Sequence, residues 1–341
     1  MTRKHHWFWG AVLKRKSDYL QIILASVFIN VFALASSFYI MTVYDRVIPN
    51  DALETLIALT IGVSAVIIFD LIMKTLRGLF IDRAGKHIDL VFGKDLFERL
   101  SRDYSVTNKN QIGTIAATIK EFDTLKDFIS SATFVTFADI PFTFLFLFVL
   151  WTLGGAIAAV PAIIIVILLI FSFIVFPFLK RSSSSGLKET QNKQGVLVEL
   201  FSGMETIKTL PGIFLLENRW MKSVENQADL SGFSKAISQF ASNISQTGQQ
   251  VSQVGIVVYG VVLIGVGELS MGSLIACVIL SGRCLAPISQ ITSLLSKSTN
   301  AFSAYKALNE ILKDKNFQNL QYTQRKDIKP NIQLNNVSFN Y

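Results

Sequence analysis

Apolar positions along this chain gather into runs too long for a water-soluble helix. The longest, Ile140 to Leu179, holds 40 residues without one Asp, Glu, Lys or Arg. As a single helix it would reach about 60 Å, roughly twice the hydrocarbon thickness of a bilayer. The pattern therefore predicts a helical hairpin broken at Gly154-Gly155, because paired glycines mark a turn. Its arms are expected over residues 134–153 and 156–177. Further membrane-spanning runs cover 19–43, 53–73, 251–266 and 269–287, which brings the expected crossings to six.

Between the runs the period changes to that of amphipathic helices. Ile88, Val91, Phe92, Leu96 and Leu100 form one stripe, and Ile112, Ile115, Ile119, Phe122, Leu125 and Ile129 form another. Asn108-Lys109-Asn110 marks the reversal between them. Leu197, Leu200, Met204 and Ile207 repeat the plan, with a reversal at Pro211-Gly212 and an apolar patch at Phe214-Leu215-Leu216. The serines 182–185 read as a solvated helix face or a kink. Two long helical arms thus project from one side of the membrane, and their tips are Asn108, Lys109, Asn110, Pro211, Gly212 and Phe214. A channel or an anchor does not need such arms. A machine driven by a soluble motor does, because force must pass from the motor into the membrane helices.

Residues 236–267 carry no charge but begin with many Ser and Gln, among them Gln246 and Gln250. That face is too polar for lipid and suits helix packing first, a wet cavity second. After Lys313 the chain turns polar, and 313–331 reads as a linker. Residues 332–341 alternate apolar and polar side chains, as in a strand that opens a new soluble domain. One strand cannot fold alone, so the chain reads as cut off inside that domain. The expected domains are a basic N-terminal segment (1–18), a six-helix membrane domain (19–312), the linker, and the start of the second domain.

Charge placement decides the topology. The net charge is +8, yet charged residues make up only 16% of the chain and hydrophobic ones 51%. With the N-terminus inside, 31 of the 32 Lys and Arg fall on the inner side, and Arg46 alone falls outside. The basic balance is a positive-inside signal. Nucleic-acid binding is rejected, because the basic residues form no single patch. The first run resembles a secretory signal with a cleavage-like Ala33-Leu34-Ala35. It continues to Val43, however, and reads as an uncleaved first span.

No catalytic or metal set is evident. Cys277 and Cys284 lie seven apart on one expected helix, too far apart to bridge each other. His5, His6 and His87 show no ligand spacing. Two carboxylates, Asp70 and Asp139, fall near the inner membrane boundary. An intramembrane acid is a functional candidate by default, and hydration or pairing with a basic residue is the plainer reading.

Six spans, two arms and a soluble domain after the last span resemble the membrane half of ABC exporters. Val43-Tyr44-Asp45-Arg46-Val47-Ile48-Pro49-Asn50 is similar to the first external loop of type I secretion permease/ATPases. Arg77-Gly78-Leu79-Phe80-Ile81-Asp82, Ala138-Asp139-Ile140-Pro141-Phe142 and Ser202-Gly203-Met204-Glu205-Thr206-Ile207-Lys208 are similar to that family as well. The resemblance covers residue 7 to the end. It implies an all-α exporter membrane domain followed by a nucleotide-binding domain, in which Tyr341 would stack on adenine. It implies ATP and Mg in the full-length protein, a homodimer, a periplasmic adaptor and an outer-membrane channel. The cargo would be a large unfolded protein, the place the bacterial inner membrane, and both termini cytoplasmic. Arm tips would pass motor movement to the helices. The chain departs from the family in having no G-x-x-x-x-G-K-[ST] phosphate loop, so as given it would not hydrolyse ATP or hold the nucleotide alone. It also carries no N-terminal peptidase-like domain. An exporter of lipid or small molecules, and a motor-less scaffold, are the alternatives.

Overall fold

The structure, a computed structural model, describes residues 16–102, 109–130, 132–209, 213–312, 335, 337 and 338. Among them every regular element is helical. α1 is Lys16–Thr42, continued by a π-helical turn, Val43–Val47. α2 is Leu53–Arg102, α3 Lys109–Ser130 and α4 Ala132–Gly154. A 3₁₀ turn, Gly155–Ala158, leads into α5, Ala159–Ser202. A short α6, Met204–Thr209, precedes α7, Ile213–Val266, and α8, Met271–Leu312.

Five helical runs are long and apolar enough to cross a membrane, and one of them, Val135–Ser202, contains both arms of the expected hairpin. The chain reverses at Gly154-Gly155, where Gly155 takes a φ of +53° that favours glycine. Contacts with α8 prove the reversal. Ascending α4 brings Thr136 to Gln290 and then Thr143 to Cys284, so α4 and α8 are antiparallel. Ile157, in the turn that leads into α5, sits in one cluster with Cys277, and Ser183 of α5 reaches Ser303 further on, so α5 and α8 are parallel. The chain therefore crosses six times. The hairpin is open, however. α4 and α5 each pack on α8 far more than on each other.

α8 is the central helix, in contact with α1, α3, α4, α5 and α7. Of its most apolar membrane window 61% is buried, against none of α2's. Phe146, Leu150, Ile157, Ile165 and Leu168 pack on Leu274, Cys277, Leu280, Cys284 and Leu285 in the main core. α5 and α7 meet along small residues, as membrane helices do when their backbones approach closely. Ala241, Ser245, Ser252 and Gly260 lie on the buried face of α7. A β-carbon on Gly255 would stand 2.9 Å from Val160 Cγ1. A second core joins the two helices of the first arm to the end of α8: Ile88 and Phe92 of α2, Phe122 and Leu125 of α3, and Ala304 and Leu308 of α8.

Some details differ from the sequence reading. Lys109 and Asn110, expected at the first reversal, already belong to α3. Asn108, Pro211, Gly212 and Tyr341 lie outside the described residues, as does most of the expected strand. α5 ends at Gly203, a break the apolar stripe does not reveal. The serine run lies inside the continuous α5 and is not fully solvated. Ser182 is buried and donates to the Leu230 carbonyl at 2.8 Å, and Ser183 meets Ser303 at 3.3 Å. Those hydroxyls join α5 to α7 and α8, a role that depends on which helices stand beside them.

Candidate functional site

Two polar features occupy the half of the bundle that bears the arms. The first is a cavity of about 920 Å³ between α3, α5, α7 and α8. Ser182 lies 27 positions beyond Gly155, roughly 40 Å along the helix, so the cavity sits past the apolar layer on the arm side. Most of its lining residues carry a hydroxyl or an amide, set among apolar surface: Thr124, Ser183, Thr190, Gln227, Ser231, Ser234, Ser238, Gln239, Ser242, Asn300 and Ser303. Only Glu121 and Lys235 bring charge. Gln227 fixes one side, donating to Thr190 Oγ1 at 2.9 Å and accepting from Lys193 Nζ at 2.6 Å. Gln191 donates to Thr118 Oγ1 at 2.9 Å and holds α5 on α3. Such walls can exchange hydrogen bonds with any peptide group and select no sequence.

Burial raises the Glu121 carboxyl above its ordinary 4.5; Asp123 adds to the rise, while the Thr124 hydrogen bond and Lys120 oppose it. The folded chain thus holds the Glu121 proton more tightly than the unfolded chain. Stability should fall as pH climbs above 4.5, and the fall should end once the raised value is passed. In Glu121→Gln that part of the pH dependence should vanish, as read by thermal midpoints of the two proteins across the acidic range.

The second feature is an ion pair joining three helices. Arg77 of α2 lies 3.3 Å from both carboxylate oxygens of Asp139 on α4. Asn30 of α1 donates to Asp139 Oδ1 at 2.9 Å and to the Ser26 carbonyl at 2.8 Å. Arg77 also donates to Ser26 Oγ at 3.1 Å. Both charged side chains are largely enclosed, at 14% and 20% exposure. Arg77 and Asp139 stand in two of the family-like motifs, and the fold brings those motifs together. Sequence reasoning missed Arg77 as the partner, and Asn30 altogether. Shared depth is the only signal that could have linked them.

The remaining candidates are dispersed. Asp70 pairs with Lys74 one turn on, at 2.6 Å. Gln246 and Gln250 are exposed, and Gln249 and Gln253 instead face the last helix at Gly282. Phe214 is exposed, at 66%. Among the described residues no group of His, Cys, Asp and Glu could hold a metal ion.

The family model for the ABC transporter transmembrane region matches residues 19–287. The chain belongs to that family. Relatives of this ABC transporter membrane region include the leukotoxin translocation ATP-binding proteins LktB of Bibersteinia trehalosi and Mannheimia haemolytica. Each is 26% identical over 97% of this chain and 49% of the relative. The chain thus spans about half the length of the curated relatives it matches. A solved bacterial Atm1-family ABC exporter with ATP bound superposes with a TM-score of 0.73. It is 12% identical and covers 88% of this chain and 54% of that one. The fold is an ABC exporter transmembrane domain, all helical among the described residues, in a multi-pass membrane protein.

Proposed function

We propose that this chain is the membrane part of an ATP-driven exporter that secretes a large unfolded protein by the type I route. The observation that carries the reading is the match to leukotoxin translocation proteins over 97% of the chain. The nearly uncharged hydroxyl and amide cavity supports it, because an unfolded cargo offers peptide groups in any sequence. On this reading the arms and both termini are cytoplasmic and the short turns face outward across the bacterial inner membrane. Two copies form the exporter, which works with a periplasmic adaptor and an outer-membrane channel. ATP and Mg are taken by a nucleotide-binding domain that begins after a linker at 313–331. To that domain's site this chain contributes Tyr341, whose ring would stack on adenine. The arm tips, Asn108 to Asn110 and Pro211 to Phe214, carry movement from that domain into the helices.

The test is gene disruption in the host, followed by quantitative proteomics of the culture medium. The expected result is loss of one or a few large proteins from the medium and their retention in cells. An unchanged secreted set, with altered lipid or small-molecule efflux instead, would overturn protein export and favour the other exporter class.

A further inference from the structure

One carboxylate joins the first turn to the start of the last helix. Ser270 Oγ donates to Asp45 Oδ2 at 2.6 Å, and the Gly272 N–H donates to Oδ1 at 2.8 Å. Ser270 precedes α8, and its Oγ also lies 3.1 Å from the Ser273 N–H. Asp45 therefore accepts from an N–H that has no partner inside α8, and its negative charge sits where the helix dipole favours it. Gly272 is adapted to the same contact. A β-carbon there would stand 2.4 Å from the Met41 carbonyl oxygen and 2.6 Å from Asp45 Cγ. The oxygen belongs to helical backbone and cannot step aside. Finally, α1 widens into its π turn at Val43–Val47, around Asp45 itself. An extra residue in the turn re-aims the side chain.

We propose that Asp45 is a positioning residue for export: its carboxylate latches α1 onto α8 at the turn end, and that end opens only when the carboxylate leaves α8. The functional meaning rests on the exporter reading, but the latch itself does not. The Asp45–Ser270 bond is exposed. Water can therefore replace these hydrogen bonds on release, so the exchange is nearly balanced, as a reversible latch requires. Below it, Ser37 lies one turn from Met41 on the same face of α1, between the latch and Ala33, which belongs to the main core shared with α8. Ser37 is fully buried and its Oγ makes no hydrogen bond, so a cysteine there loses none.

The experiment uses Ser37→Cys in the intact chain in lipid nanodiscs, a charged thiol reagent that does not enter the bilayer, and site-resolved mass spectrometry. With Asp45 present, Cys at 37 should react slowly. Adding Asp45→Ala should speed it by about tenfold, the equilibrium change expected from losing two hydrogen bonds. Gly272→Ala, which wedges the same contact from the other side, should do likewise. Asp45→Asn, which keeps an acceptor for the Gly272 N–H, should fall between. Cys277 and Cys284, both fully buried in the main core, should stay unlabelled throughout. Unchanged labelling at 37 in Asp45→Ala overturns the latch. So does labelling of Cys277 and Cys284 along with it, because that reports loss of the fold. None of these outcomes depends on cargo, so failure of the export reading in the host leaves the labelling result standing by itself.

Discussion

Arg77→Ala is expected to destabilise the chain by about 3 kcal/mol, the low end for breaking an enclosed ion pair by removing one partner. The loss comes mainly from what remains. Asp139 is left without its cationic partner among three helices, with Asn30 still donating to it. Exposure of 14% and 20% for the two side chains places the pair well apart from solvated surface pairs, which contribute little, but leaves some access to water. Asp139→Ala should cost a similar amount, because it strands the guanidinium. The double variant should cost much less than the sum, since neither charge is then left alone. Unfolding in detergent mixtures, read by circular dichroism for the four proteins of this cycle, gives the coupling directly. Single variants as stable as the parent would show that Arg77 and Asp139 do not depend on each other.

Phe122→Ala should cost about 3–5 kcal/mol, as for a large buried aromatic truncated in a packed core. Phe122 is 7% exposed and stacks on Phe92 with ring centroids 3.5 Å apart and planes 7° from parallel. The effect should be local. This cluster holds α2, α3 and α8 together in the arms and is distinct from the core around Leu280. Hydrogen exchange should therefore speed over 109–130 and the facing part of α2, while α4 and the first half of α8 keep their protection. On the export reading, such an arm would no longer transmit movement. Uniformly faster exchange would mean that the two cores unfold as one unit.

The site was partly legible. Asp139 stands out in sequence because a lone acid in an apolar run is costly. Its partner does not, since Arg77 lies 62 positions away on a helix whose pattern continues smoothly past it. The glutamines of α7 show the same limit. Glutamines recur at 246, 249, 250 and 253, so the composition is similar on neighbouring faces. Only the position of α8 selects Gln249 and Gln253 as the inward pair. Helical stripes mark the faces well and the turns poorly, so the stripe over 112–129 predicts a helix there but not its start at Lys109. The break at Gly203 carries no apolar signal at all.

By itself the sequence determined that the chain is helical, crosses a membrane six times and carries two long arms. Those properties follow from lengths of apolar run and from the need of backbone groups in lipid to bond within their own segment. Which helix stands at the centre was decided only in three dimensions. Lipid is as apolar as a protein core, so hydrophobicity cannot tell the buried α8 from the exposed α2. Likewise the open hairpin, the Arg77–Asp139 pair and the Asp45 contact with Gly272 depend on side chains between 62 and 227 positions apart, or on helices meeting a third. Local pattern carries no information about such meetings, and close packing of small residues supplies it.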